Sequence, residues 1–324
     1  MIVTLTLNPA LDMRMMMVGP KLGELNRARE VSFEASGKGL NVSRALAKLG
    51  HASTAIAPLG GAFGQMIADE LQQGVAHHAS EQGGGEAFRL ERIPTPHNTR
   101  CNTKIIDQNG VLSEFNASGA PLTEDVWQAC QACLEAALQN TSTTNPKYLV
   151  LSGSLPPGLP ANTYATLVTT WQARGVRVIV DASGEALTAA FEAQPWLLKP
   201  NEDEIYTLLG KRVTSLEQAA SAARDLQSHG IPQVIVTLGK LGAAFALGDS
   251  CVIVPAPEIK AVTPVGAGDT LLAAVLVGLC ESQDVSTLAR YAMAAAAVRV
   301  SRSVYPTPAM IDDTIKMVNG TQVI

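Results

Sequence analysis

The apolar positions of this chain change period twice. The first run, "IVTLTL", is rich in β-branched residues and closes at Asn8 and Pro9, which predicts a buried strand. From Asp12 to Ala35 the pattern is irregular and strand-like, with no helical period. "GLNVSRALAKLG" then puts Val42, Ala45, Leu46 and Leu49 on one helical face, with Gly50 as a stop. Strand signals return between Glu86 and Asn116, where "DQNG" reads as the turn of a hairpin joining "CNTKII" to "VLSEF". The "EQGGGEAF" before it is Gly-rich but has no phosphate-loop lysine, so it reads as a plain flexible loop.

From residue 120 onward, helical patterns alternate with short apolar runs. "KYLVLSG", "RVIVDASG", "WLLKPN" and "PQVIVTLG" are predicted strands. That rhythm predicts an α/β domain with a doubly wound, mostly parallel sheet covered by helices on both faces. The irregular strands do not share the rhythm. They read as a small β layer inserted into one domain spanning 1–324, with segments at about 12–35 and 87–117.

Composition narrows the function. With 324 residues, 47% hydrophobic and 16% charged, the chain can bury a large core and is not disordered. A net charge of -5 argues against general affinity for nucleic acid or an anionic membrane, so an anionic substrate needs a local positive site. "MIVTLTLNP" has no basic segment and no cleavage site, and "LLAAVLVGLC" is too short to span a bilayer. Cys101, Cys130, Cys133, Cys251 and Cys280 form no paired framework, and the lone "CQAC" in a predicted helix reads as packing. A reducing, cytoplasmic setting is the expectation. His51, His77, His78, His97 and His229 make no metal-spaced set.

Ligands of open α/β sheets gather at the carboxyl ends of strands. Here those ends carry "LNPALD", "LSGSLPPG", "LKPNEDE", "TLGKLG" and "PVGAGDT". In "VGAGD" the free amides of Ala267, Gly268 and Asp269 can meet an anion at a helix start, and Asp269 can take a proton from an attacking hydroxyl. An aspartate near a helix N-terminus also stabilises helices without catalysis, and on spacing alone the two readings carry equal weight. "SGKGLNV" sets Lys38 between Gly37 and Gly39 and lacks the full Walker A spacing. A lysine at a helix start opposes the dipole unless an anion sits there, which points to phosphate contact. Asn201 and Glu204, three apart, share a predicted helical face and can hold magnesium through water.

Together these motifs resemble the PfkB group of ribokinase-like carbohydrate kinases. "SGKGLNVSRALAKLG" is similar to that group's first signature and "TPVGAGDTLLAAVL" to its second. "TLTLNPALD", "LSGSLPPG", "DASGEAL", "LKPNEDE" and "TLGKLGA" follow in family order. "TLTLNPALD" with "GKGLNV" resembles the ketohexose-phosphate branch. "LNRAREVS" and "LGGAFGQMIADEL" look like tagatose-6-phosphate kinases, whereas "FNASG" and "PWLLKPN" look like 1-phosphofructokinases, and the minor 6-phosphofructokinase type is the third member.

The resemblance implies roles. Asp269 is the base, and Gly266, Ala267 and Gly268 form the anion hole. Asp12, Gly37, Gly39 and Asn41 bind the sugar, while Lys38, Arg100 and Arg27 hold the phosphate already on it. Lys199, Asn201, Thr237 and Gly239 serve the nucleotide, and Asn201 and Glu204 the magnesium ion. The C-terminal "RVSRSVYPTP" departs from the group beside the adenine and any monovalent-cation site. The expected enzyme is an ATP- and magnesium-dependent kinase making a ketohexose bisphosphate, a homodimer through its β lid. A kinase of an unphosphorylated sugar or nucleoside, and a non-catalytic sugar-phosphate-binding regulator, are the rivals.

Overall fold

The computed structural model describes residues 1–81, 88–139 and 146–324, with side chains of 73–81 excluded. Most of the Gly-rich "EQGGGEAF" stretch, and the side chains of His77 and His78, lie outside the described residues. In chain order the elements are β1 (Ile2–Leu5), β2 (Ala10–Met16), β3 (Glu30–Ser36), α1 (Lys38–Lys48), β4 (Thr54–Leu59), α2 (Gly61–Glu81), β5 (Arg89–Pro94), β6 (Arg100–Ile106), β7 (Leu112–Phe115) and α3 (Glu124–Gln139). There follow β8 (Tyr148–Ser152), α4 (Thr163–Gln172), β9 (Arg177–Asp181), α5 (Gly184–Glu192), β10 (Leu197–Leu198), α6 (Glu202–Leu209), α7 (Leu216–Ser228) and β11 (Gln233–Thr237). The last are β12 (Gly242–Leu247), β13 (Ser250–Pro255), α8 (Ala267–Cys280), α9 (Val285–Arg302), α10 (Pro308–Thr314) and β14 (Gln322–Val323).

The large sheet runs β14-β13-β12-β11-β10-β9-β8-β1-β4-β5. Its strands are parallel from β11 to β5, as the alternating rhythm predicts. Successive side chains of a parallel strand serve opposite faces, so both must be apolar. Leu149, Leu151, Val178 and Val180 enter a core with α3, α4, α5 and α7, while Tyr148, Val150 and Ile179 enter a second core with α1, α8 and α9. The antiparallel edge β12–β13–β14 is the remainder of this mostly parallel sheet, with β12 and β13 joined by a hairpin turn at Gly248 and Asp249. One departure from the expected organisation appears in the strands. Strand β5, inside the span expected to belong to the insert, pairs with β4 at the far edge of the main sheet.

A separate four-stranded sheet has the order β3-β2-β6-β7. The hairpin turn "DQNG" joins β6 to β7, with Gly110 at φ 81 closing a bond from its N–H to the Asp107 carbonyl. The sheet alternates by face. Asp12, Arg14, Asn102, Lys104 and Glu34 share register on one face. Met13, Met15, Val31, Phe33 and Ile105 share the other, and Val31, Phe33 and Phe115 are well exposed.

Helix α8 has no polar side: every residue from Asp269 to Gly278 is buried. It lies under α9 and beside α1, so its all-round apolar sequence is that of a central helix rather than an amphipathic surface one. Cys130 is buried among apolar neighbours and no cysteine is in a disulfide among the described residues, which fits packing for "CQAC". Among those residues no helix is long and apolar enough to cross a membrane.

Candidate active site

One open cleft of about 620 Å³ lies between the small sheet and the carboxyl ends of the parallel strands. Asp269, Gly266, Gly268, Asp12, Gly37, Lys38, Asn41, Arg100, Lys199, Asn201, Glu204 and Thr237 all line it, although they come from across the whole chain. Four expected residues do not. Arg27 lies in the exposed stretch between β2 and β3, and Gly239 is exposed in a short 3-10 turn after β11. Ala267 is tucked into the first turn of α8. Gly39 is buried: a Cβ there would come 2.5 Å from Thr6 Oγ1 and 3.3 Å from the Leu5 carbonyl, so this glycine lets α1 pack on the end of β1.

At the start of α8, Gly266 takes the left-handed conformation, φ 77, and turns the chain into the helix. The amides of Gly268 and Asp269 have no backbone acceptor among the described residues, so two donors with the helix dipole behind them open on the cleft. Asp269 Oδ2 accepts 2.8 Å from Asn41 Nδ2. Burial, and then the charge of Asp181, hold the Asp269 carboxyl above its ordinary range, against the pull of Lys38, Asn41 and Lys199. A base whose proton affinity is raised by its surroundings suits abstraction from a hydroxyl.

Asp181 had no assigned role in the sequence reading. It sits 1% exposed at the end of β9, with Lys38 Nζ at 2.9 Å from Oδ1 and Lys199 Nζ at 3.1 Å from Oδ2. The Lys199 contact is an ion pair rather than an aligned hydrogen bond. Burial works against its charge, but Lys199 and Lys38 together outweigh this and keep the carboxyl below its usual range. Burial likewise opposes the Lys38 ammonium, and Asp181, Asp269 and Glu204 overcome it and strengthen its hold on the proton. The anion that a lysine at this helix start requires is therefore supplied by the chain itself. Its only advance signal was position: an acid at the carboxyl end of a buried strand, in "RVIVDASG".

Asn201 and Glu204 form a capping box rather than one face of a helix. Asn201 is the N-cap of α6, its Oδ1 accepts 2.9 Å from the Glu204 N–H, and Glu204 Oε2 accepts 2.9 Å from the Asn201 N–H. Burial raises the Glu204 carboxyl above its ordinary range. Among the described residues no three acidic, histidine or cysteine side chains cluster closely enough to cage a metal ion.

On the small-sheet side of the cleft, Asp12 is buried with Lys104 Nζ at 2.6 Å and accepts 2.9 Å from Asn102 Nδ2. Arg100 donates to the carbonyls of Ala117 at 2.7 Å, Asn8 at 2.9 Å and Pro9 at 3.4 Å. Those bonds use three of its five N–H groups and leave two for a ligand. Burial lowers its proton affinity, against Asp12. Lys104 and Asn102 were not anticipated, because on a lone amphipathic strand either face can be the wet one.

An acid at an open helix start, cations beside it and a polar sheet across the cleft define a small-molecule phosphotransferase. The family described as pfkB family carbohydrate kinase matches residues 6–308. The 1-phosphofructokinase of Vibrio cholerae is 31% identical over 93% of this chain and 90% of its own length. The ATP-dependent 6-phosphofructokinase isozyme 2 of Escherichia coli is 33% identical over 91% of this chain and 90% of its own length. A crystal structure of phosphofructokinase-2 from Escherichia coli in complex with substrates and products superposes with a TM-score of 0.86 at 30% identity, covering 97% of this chain and 98% of that one. The chain belongs to the pfkB family of carbohydrate kinases and is an ATP-dependent sugar kinase.

Proposed function

We propose that the enzyme transfers the terminal phosphoryl group of ATP to a free hydroxyl of a ketohexose monophosphate, making the 1,6-bisphosphate. The observation that carries this is the position of Asp269 beside the two open amides of α8, in a cleft that Arg100 also lines. Asp269 takes the hydroxyl proton as the oxygen attacks phosphorus. The amides of Gly268 and Asp269 face the negative charge that spreads over the transferring group, and phosphoryl transfer needs little beyond such positioning and charge stabilisation. Lys38 and Lys199, bridged by the single carboxylate of Asp181, leave an excess of positive charge beside the path.

Arg100 meets the phosphate already on the sugar through its two remaining N–H groups. Relatives named for fructose phosphates support that acceptor class. The rival, an unphosphorylated sugar, draws on Lys38 and Lys104, both already paired with carboxylates. Rates with tagatose-6-phosphate, fructose-6-phosphate, fructose-1-phosphate and free fructose decide between them. The reading expects at least ~10-fold higher kcat/KM for one monophosphate, since a charge-assisted bond contributes about 1.5–3 kcal/mol. A preference for free fructose overturns it.

Magnesium fits the α6 start. Glu204 keeps Oε1 free of the capping box, and its charge is destabilised by burial, which a cation relieves. With no three-carboxylate cage among the described residues, Asn201 and Glu204 would hold the hydrated ion through water. Bound there, it would neutralise the phosphates of ATP. The apolar outer face of the small sheet, with Val31 at 48%, Phe33 at 46% and Phe115 at 53% exposed, suits the same face of a second copy. A homodimer through that sheet is the expected assembly. The solved Escherichia coli phosphofructokinase-2 includes a tetrameric inhibited form.

A further inference from the structure

The C-terminal segment after α9 does not line the cleft, yet it reaches the base. Ser303 ends α9 in the left-handed conformation, φ 55, and the chain doubles back to bury Tyr305. The Tyr305 ring packs against two guanidinium groups, Arg299 at 4.4 Å and Arg44 at 4.7 Å from its centroid. Neither arginine is free to swing. Arg44 donates to Glu70 Oε1 and to the Ala35 carbonyl, each at 2.7 Å. Arg299 donates to Glu34 Oε1 at 3.0 Å and to the carbonyls of Val265 and Ser303 at 3.2 Å. The ring plane is therefore set by packing, and so is the place of its hydroxyl.

That hydroxyl donates 3.0 Å to Asn41 Oδ1, and Asn41 Nδ2 in turn donates 2.8 Å to Asp269 Oδ2. An asparagine amide presents an acceptor at one end and donors at the other, and only its neighbours decide which way it faces. Asp269 as a carboxylate can only accept, so it needs the NH2 end. The opposite oxygen then needs a buried donor, and Tyr305 supplies it. Burial, opposed by Arg44 and Arg299, pushes the phenol up to about 12, so it keeps its proton across the working range.

We propose that Tyr305 is a positioning residue for phosphoryl transfer: its hydroxyl holds the Asn41 amide in the orientation that donates to Asp269 and so aims the carboxylate at the acceptor. This rests on Asp269 being the base. Without the hydroxyl, Asn41 Oδ1 has no donor, and the amide turns or tilts away from Asp269.

Asp269 is faced by Lys38 and Asn41 from α1, by Asp181 at the end of β9 and by Lys199 after β10. Tyr305 is faced by Arg44 from α1, Arg299 from α9, Glu34 from β3 and Asp269 from α8. Replacing Tyr305 by phenylalanine keeps the stack and every one of these charges, and alters only the bond to Asn41. A carboxylate that loses an N–H donor binds its proton more tightly, so the acid limb of kcat moves to higher pH.

The test is Tyr305→Phe, alone and with Asn41→Ala, with Asp269→Asn alongside. In the single variant kcat should fall ~10-fold, what the loss of one hydrogen bond amounts to. Its acid limb should shift upward, while KM for ATP and the melting temperature change little. In the Asn41→Ala background the same replacement should cost nothing further, because the two residues act as one chain. A kcat within about twofold of wild type with an unmoved acid limb, or a full-size effect in the Asn41→Ala background, overturns the proposal. If Asp269→Asn stays active, the base assignment itself is wrong. An inactive Asp269→Asn beside an unaffected Tyr305→Phe removes only the positioning role.

Discussion

Two helix starts meet in the cleft and read almost alike: "GKGLN" opens α1 and "GAGDT" opens α8. Their glycines do different things. At α1, a Cβ on Gly37 would lie 2.8 Å from Thr6 Cγ2, and one on Gly39 would lie 2.5 Å from Thr6 Oγ1. These glycines bring the helix onto β1. At α8, a Cβ on Gly266 would face Arg299 Nε at 3.1 Å and one on Gly268 would face Lys199 Nζ at 3.3 Å. These keep space beside cations. The charges differ too: α1 starts with a lysine that needs Asp181 to neutralise it, whereas α8 starts with an acid that the helix dipole favours. A glycine pair at a helix start marks close approach, and only the neighbours say whether β1 or a ligand approaches.

The largest test of that contrast is Asp269→Asn, expected to lower turnover ~100- to 10,000-fold. Its stability should move the other way. Burial first, then Asp181, raise the folded-state carboxyl above its unfolded value. Such a group contributes stability in acid, below the unfolded value, and that contribution is lost as pH rises through the folded one. At neutral pH the asparagine variant should therefore melt higher than wild type, and the gap should close toward the ordinary carboxylate range. Melting curves across pH check this, and a lower neutral melting temperature would contradict a strained buried base.

Gly39→Ala should do the reverse, costing about 1–3 kcal/mol of stability through overpacking while sparing turnover per folded molecule. Adding Thr6→Ala should restore part of the loss in denaturant titrations. Unchanged stability in Gly39→Ala would mean that α1 is not seated on Thr6. Gly268→Ala comes next: a methyl beside Lys199 should leave the melting temperature in place and slow turnover ~10-fold, less than the ~100-fold of a full 1 Å misplacement. The smallest effect belongs to a third helix start. Glu204→Gln keeps an acceptor for the Asn201 N–H, so the fold should hold, while the magnesium concentration for half-maximal rate rises by a few-fold. A titration that superposes on wild type would leave Asn201 and Glu204 as a capping box alone.

Much of the site could be read in the linear order because it lies where local rules apply. "VGAGD" and "KPNEDE" are strand-to-helix connections, and residues in such connections face the ligand end of a parallel sheet. Arg27 and Gly239 lie outside the cleft lining for a related reason: a match to a motif carries a residue to a segment, not to a side of it. The partners of the charges were not legible. Nothing near Lys38 says that its anion will be Asp181, and nothing near Asn41 points to Tyr305.

The α/β rhythm, the small sheet's β6–β7 hairpin and the helix start that bears Asp269 are local properties of the sequence, because period, turn residues and caps act over a few neighbouring positions. Tertiary structure alone decided which charges are spent and which remain for a ligand. Lys38 meets Asp181 across 143 positions, and Tyr305 meets Asn41 across 264. Such pairs arise only when the parallel sheet closes and burial strips water from both partners, and no local pattern encodes that event.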